Sequence, residues 1–182
     1  MRELSLNVLD IAQNSITAGA SLITLSVTES VKDDRLILGI DDNGCGMTEE
    51  QLQQVRDPFF TTRTTRRVGM GIPLFRMAAE MTGGSLTIES QVGKGTNVRA
   101  SFGLSHIDRP PLGDMIDTVV TLIRLNEQLD FVYRHQTDNG EFEADTRSFR
   151  DILGDVPLSE PDIITWIREY LTENVNALHS QA

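Results

Sequence analysis

The stretch Arg35–Asp41 reads as a strand and runs straight into Asp42-Asn43-Gly44-Cys45-Gly46-Met47. That junction constrains the chain more than any other part of the sequence. The two glycines admit positive φ and close approach of a backbone to a neighbour. A carboxylate at the end of a strand can accept a hydrogen bond from an exocyclic amine, such as that of adenine. Taken alone, the same residues also fit an ordinary Asp-Asn-Gly turn.

The surrounding elements alternate. Leu4, Val8, Ile11 and Ser15 keep helical spacing, with Leu6, Leu9, Ala12 and Ile16 widening the apolar face, and Gly19 ends that helix. Over Ser21–Glu29, Leu22, Thr24 and Ser26 alternate with Ile23, Leu25 and Val27, which predicts a strand. Thr48 is placed to cap a helix beginning Glu49-Glu50. Gly71–Met81 reads as a helix with Pro73 in its first turn, stopped by Gly83-Gly84. Strands over Ser85–Ser90 and Thr96–Leu104 follow, joined by Val92-Gly93-Lys94-Gly95. This mix predicts an α+β protein built as a layered α/β sandwich.

Charge divides the chain near Asp108-Arg109-Pro110-Pro111. Residues 1–106 carry 10 basic and 12 acidic groups, whereas residues 107–182 carry 6 and 15. The second part reads as a small α+β extension: a helix near 114–125, a hairpin over 130–145 around Asp138-Asn139-Gly140, a short helix at 146–153, and a last helix over 159–176 opened by Ser159. Its acidity and its Pro110-Pro111-Leu112-Gly113 and Phe131-Val132-Tyr133 segments mark it as a candidate partner surface, and the apolar face Ile163, Ile164, Trp166, Ile167, Tyr170 and Leu171 suits docking or dimerisation. A net charge of −11 argues against a general binder of nucleic acid or anionic membrane. One cysteine, Cys45, rules out an internal disulfide framework. With no long apolar run or secretory leader, the expected location is cytoplasmic. The histidines His106, His135 and His179 lie in no phosphoacceptor-type motif and read as packing or surface residues.

Two further segments carry chemistry. Asp10 and Asn14, four residues apart, project from one face of the first helix. A carboxylate and an amide so placed can hold hydrated Mg²⁺ and position a water; they also fit an exposed polar strip. The run Asp57-Pro58-Phe59-Phe60-Thr61-Thr62-Arg63-Thr64-Thr65-Arg66-Arg67-Val68-Gly69-Met70-Gly71 leads into a helix, and five arginines but one acid lie between Arg56 and Arg76. Guanidiniums, backbone amides and a helix start together suit a polyphosphate. The run is neither a P-loop nor a Gly-x-Gly-x-x-Gly fingerprint.

In this order and spacing the segments resemble the GHKL ATPase superfamily, which includes gyrase B, the ninety-kilodalton chaperone, sensor histidine kinases and the mismatch-repair ATPase. The resemblance covers residues 4–104 and rests on Asp10–Asn14, Asp42–Gly46, Asp57–Thr62, Gly69–Gly71 and Gly93-Lys94-Gly95-Thr96. It implies a mixed sheet with helices on one face over residues 1–106, with 107–182 as the appended extension. It implies ATP and Mg²⁺ as ligands, held by Asn14, Asp42, Gly44, Gly46, Met47, Phe60, Thr62, Arg63, Arg67, Val68, Gly69, Met70, Gly71 and Thr96. Asn14 would ligate the metal, Asp42 would take the adenine amine with Thr96 assisting through a water, and Thr61–Val68 would form a short lid. Asp10 stands where the family carries Glu or Asn, one methylene shorter than Glu, as the candidate general base. Arg67 replaces a glycine of the usual Gly-x-Gly-x-Gly. The implied activity is a kinase-type phosphotransferase acting on a separate protein that carries the phosphoacceptor. The alternatives are an ATP-hydrolysing clamp and a nucleotide-dependent binding module. Family members often dimerise, so a homodimer is a further implication.

Overall fold

The computed structural model describes residues 2–57, 71–180 and 182. Among them the elements run α1 (Leu4–Thr17), β1 (Leu22–Ser30), β2 (Arg35–Asp42), α2 (Glu49–Arg56), α3 (Gly71–Glu80), β3 (Ser85–Gln91), β4 (Gly95–Gly103), α4 (Met115–Leu125), β5 (Asp130–Thr137), β6 (Gly140–Asp145), α5 (Thr146–Leu153) and α6 (Pro161–Asn176). The strands form one mixed sheet in the order β3-β4-β2-β1-β5-β6. Neighbours are antiparallel except β1 and β5, which are parallel.

Alternation sorts the two faces. Register aligns Leu25 with Ile40 and with Tyr133, and Val27 with Leu38 and with His135. Ile40 and Leu38 in turn face Val98 and Ala100. Against this buried row pack Leu4, Val8, Ile11 and Ala12 of α1, Phe75 and Ala79 of α3, Val119, Leu122 and Ile123 of α4, and Ile167 and Leu171 of α6. Each large side chain so buried is worth about 1.5–3 kcal/mol. The other face is polar. There the Arg99 fork binds both Asp41 oxygens at 2.7 Å and lies over Gly39, where a Cβ would stand 2.4 Å from Arg99 Nη1. The layered sandwich with helices on one face is therefore the fold this chain adopts.

Local signals held in detail. Thr48 closes a capping box with Gln51 at the start of α2. Two expectations need correction. Leu6 does not join the apolar face of α1 but is 42% exposed. The cap of α6 is Glu160, with Pro161 in its first turn, and not Ser159; the ring's fixed φ sets the helix start.

The second part of the chain continues the sheet. β5 lies beside β1 from Leu22 to Thr28, and the Leu4 and Ser5 amides donate to the Pro111 and Leu112 carbonyls at 2.9 and 2.8 Å. The linker thereby satisfies donors that the first turn of α1 leaves open. Phe131, Val132 and Tyr133 are buried within β5. With β1 on one side and, from Val132 on, β6 on the other, they are sheet interior and not the contact points expected from sequence. Trp166 stacks on Tyr170 with centroids 5.4 Å apart.

Where β1 ends, its inward parity passes from Val27 to Glu29, which is 3% exposed. His135 Nε2 pairs with the Glu29 carboxylate, and the Tyr133 hydroxyl meets His135 Nδ1 at 2.8 Å. Ser180 Oγ and the Ala182 amide donate to Glu29 at 2.6 and 2.7 Å. Burial first, then the Glu29 charge, pushes the Tyr133 phenol well above its ordinary range. Among the described residues no helix is long and apolar enough to cross a membrane.

Candidate functional site

The site is assembled from α1, the end of β2, the loop after it, and the β3–β4 turn. α1 carries Asp10 and Asn14 on one stripe, both half-buried. One residue on, Ser15 turns inward, and its hydroxyl donates to Asp42 Oδ2 at 2.6 Å. The Gly44 amide donates to Asp42 Oδ1 at 2.8 Å. Both carboxylate oxygens are held, and each keeps a further acceptor position.

The loop after β2 is fixed from two sides. Asn43 Oδ1 accepts the Ser21 and Leu22 amides at 2.8 and 3.0 Å, and the Cys45 amide donates to the Ala18 carbonyl at 2.9 Å. Across the loop, the Gly93 amide donates to the Cys45 carbonyl at 2.8 Å. The Met47 amide donates to Ser90 Oγ at 2.8 Å. Ser90 Oγ also lies 2.8 Å from Thr96 Oγ1. Asp42, Thr96 and Ser90 thus form one row across β2, β4 and β3.

Two glycines permit this interlock. Gly46 has φ +71°, and a Cβ there would stand 2.0 Å from the Gln91 carbonyl oxygen; Gly95 has φ +119°, and a Cβ would stand 1.9 Å from the Asp42 carbonyl oxygen. No side chain fits at either place.

The start of α3 closes the other end. A Cβ on buried Gly71 would lie 3.6 Å from Asp10 Cβ, so the first turn of α3 sits against the acidic residue of α1. Asp10 is itself ion-paired with Arg2. The residues Phe60, Thr62, Arg63, Arg67, Val68, Gly69 and Met70 lie outside the described residues. Of the five arginines in that stretch, Arg56 donates to the Ile88 carbonyl at 2.7 Å and Arg76 to the Arg56 carbonyl. Those two serve the backbone, which removes them from the basic surplus read in the sequence.

Asp10, Asn14, Asp42, Gly44, Gly46, Met47, Gly71 and Thr96 are therefore brought to one region. Three participants are not among the residues that the sequence singles out: Ser15, Ser90 and Arg2. Ser15 sits within the helical spacing of α1 and Ser90 at a strand end, and Arg2 precedes α1, so no local spacing marks any of them as a site residue.

The donors suit the expected ligands. Asn14 offers a hard amide oxygen of the kind Mg²⁺ accepts alongside waters and phosphates. Among the described residues there is no cluster of three or more His, Cys, Asp or Glu able to hold a metal alone. A metal here would be shared with its nucleotide.

Residues 1–106 match the family described as histidine kinase-, DNA gyrase B-, and HSP90-like ATPase. Sporulation kinase E of Bacillus subtilis is 28% identical over 96 residues, covering 53% of this chain and 13% of that protein. Sensor protein SrrB of Staphylococcus aureus is 37% identical over 101 residues, covering 53% of this chain and 17% of that protein. The chain thus spans less than a fifth of the length of either. Among solved structures, the N-terminal domain of a DNA repair protein is similar at a TM-score of 0.56 and 14% identity, covering 80% of this chain and 52% of that one. That likeness concerns the fold, and at 80% coverage it extends beyond residue 106 into the second part of the chain.

Proposed function

This chain belongs to the histidine kinase-, DNA gyrase B-, and HSP90-like ATPase family, and we propose that it binds Mg·ATP and passes the terminal phosphate to a separate protein. The observation that carries the reading is the tie between α1 and β2. One helix bears Asp10 and Asn14, and its next residue, Ser15, holds Asp42. Base recognition at the end of β2 and phosphate chemistry on α1 would thereby be coupled through one hydrogen bond.

Asp42 accepts the adenine amine, and Thr96, its cross-strand partner, assists through a water. Gly44 and Gly46 let the backbone pass close to base and ribose. Asn14 holds Mg²⁺, which when bound neutralises phosphate charge. The start of α3 at Gly71 turns its backbone amides to the phosphates. Asp10 takes the proton from the attacking hydroxyl or imidazole of the partner. The named kinase and sensor-protein relatives favour transfer over simple hydrolysis.

A second reading, an ATP-hydrolysing clamp, is favoured by the carboxylate at position 10, since it can activate water as readily as a hydroxyl. Calorimetric titration with Mg·ADP and Mg·ATP, with phosphate release followed in the same sample, separates the two. Binding without release supports transfer to a partner. Binding with steady release supports the clamp. No binding of either nucleotide overturns both.

A further inference from the structure

Arg2 lies two residues before α1 begins, yet its side chain follows the helix along the stripe that carries the site. Its Nη2 lies 3.5 Å from the Leu6 carbonyl and is ion-paired with Asp10 Oδ2. Within α1, Leu6, Asp10 and Asn14 stand at four-residue steps, and the Arg2 side chain reaches along that row from outside the helix. The far side of Asp10 is occupied by the start of α3, with Gly71 3.6 Å from Asp10 Cβ on the measure given above.

That arrangement meets an electrostatic difficulty in the proposed site. A bare carboxylate beside a polyphosphate is repelled by it. A metal on Asn14 offsets part of this. Arg2 is the cation already in contact with Asp10. The pair is nearly half-exposed on both sides, at 46% and 45%, and so exposed a pair contributes little to stability. It is cheap to exchange. A terminal phosphate carries more charge than a carboxylate and matches the guanidinium fork equally well.

We propose that Arg2 is a phosphate-binding residue: it covers Asp10 while the site is empty and turns to the terminal phosphate when ATP binds. Arg2 then distinguishes ATP from ADP, and its departure leaves Asp10 free to accept a proton. This rests on the nucleotide reading above.

The test is calorimetric titration of the wild type, Arg2→Ala and Arg2→Lys with Mg·ATP and with Mg·ADP, with thermal melting of each. Arg2→Ala is expected to weaken Mg·ATP about tenfold and Mg·ADP less than about twofold, the size of one charge-assisted contact. Arg2→Lys, a cation without the fork, is expected to fall between. Melting temperatures are expected to agree within about 2–4 °C, the most that losing so exposed an ion pair costs a chain of this size. Equal losses for the two nucleotides, no loss for either, or a loss accompanied by a larger fall in melting temperature would overturn the role of Arg2 while leaving the nucleotide site standing. A wild type that binds neither nucleotide would overturn both.

Discussion

The Ser15 hydroxyl holds Asp42 Oδ2 at 2.6 Å, joining the middle of α1 to the last residue of β2. With the Gly44 amide on the other oxygen, the carboxylate is fixed in plane and presents acceptors only. Such a group favours a base bearing an amine over one bearing a carbonyl at the same position. Ser15 is 3% exposed, so no bulk water replaces its hydroxyl when it is removed. Ser15→Ala is expected to weaken ATP binding about fivefold to tenfold, less than the full value of a hydrogen bond to a charged group because Ser15 acts on the base only through Asp42. It is also expected to narrow the preference for ATP over ITP. Parallel titrations with the two nucleotides measure both effects, and an unchanged preference would remove Ser15 from base recognition.

Asn14 is expected to act through the metal. In the wild type, chelating Mg²⁺ should weaken ATP binding. In Asn14→Ala, affinity should already be about tenfold or more lower and indifferent to chelator. A variant that still responds to Mg²⁺ like the wild type would assign the metal to other ligands.

Gly46 meets the Gln91 carbonyl too closely for any side chain and sits at positive φ. Gly46→Ala is expected to cost about 1–2 kcal/mol from backbone strain alone, and more from displacing the β3–β4 turn. A lowered melting temperature together with weaker ATP binding is the expected pair of results. Full affinity in the variant would mean that the loop and the turn are not required to interlock.

Tyr133 supplies a pH dependence. Its folded-state value is raised by burial above the unfolded value of about 10. Its contribution is therefore complete below pH ~10 and is lost as pH rises further toward the folded value. The expected loss is up to about 1.4 kcal/mol per pH unit. Tyr133→Phe should flatten that alkaline limb while costing about 1 kcal/mol near neutrality through the lost His135 contact. Urea unfolding of both proteins at pH 8 and pH 11 gives the comparison.

What the amino-acid pattern disclosed follows from how local each signal is. The capping box at Thr48 and the alternation of Ile23, Leu25 and Val27 depend on neighbours a few residues away, and both are where the pattern placed them. The bond from Ser15 to Asp42 spans 27 residues and that from Glu29 to His135 spans 106. Nothing in the local spacing selects those partners. Glu29 has the parity of a core residue, but its charge argues against burial until a histidine on another strand is known to meet it. The basic stretch misled for a related reason. Arg56 and Arg76 look like ligand-binding cations until the carbonyls of Ile88 and Arg56 are seen to take them.

The parallel pairing of β1 with β5 also sets the order in which the molecule can be completed. Leu22 finds its partner at Asp130, more than 100 residues downstream. During synthesis β1 and β2 can meet early, but the other edge of β1 stays open until the second part of the chain has emerged. An unpaired strand edge backed by Ile23, Leu25 and Val27 is prone to pair with a strand from another chain. Such long-range closure is slow. The sheet is therefore completed only when β5 is present, and residues 1–106 and 107–182 are expected to gain or lose their structure in a single cooperative transition.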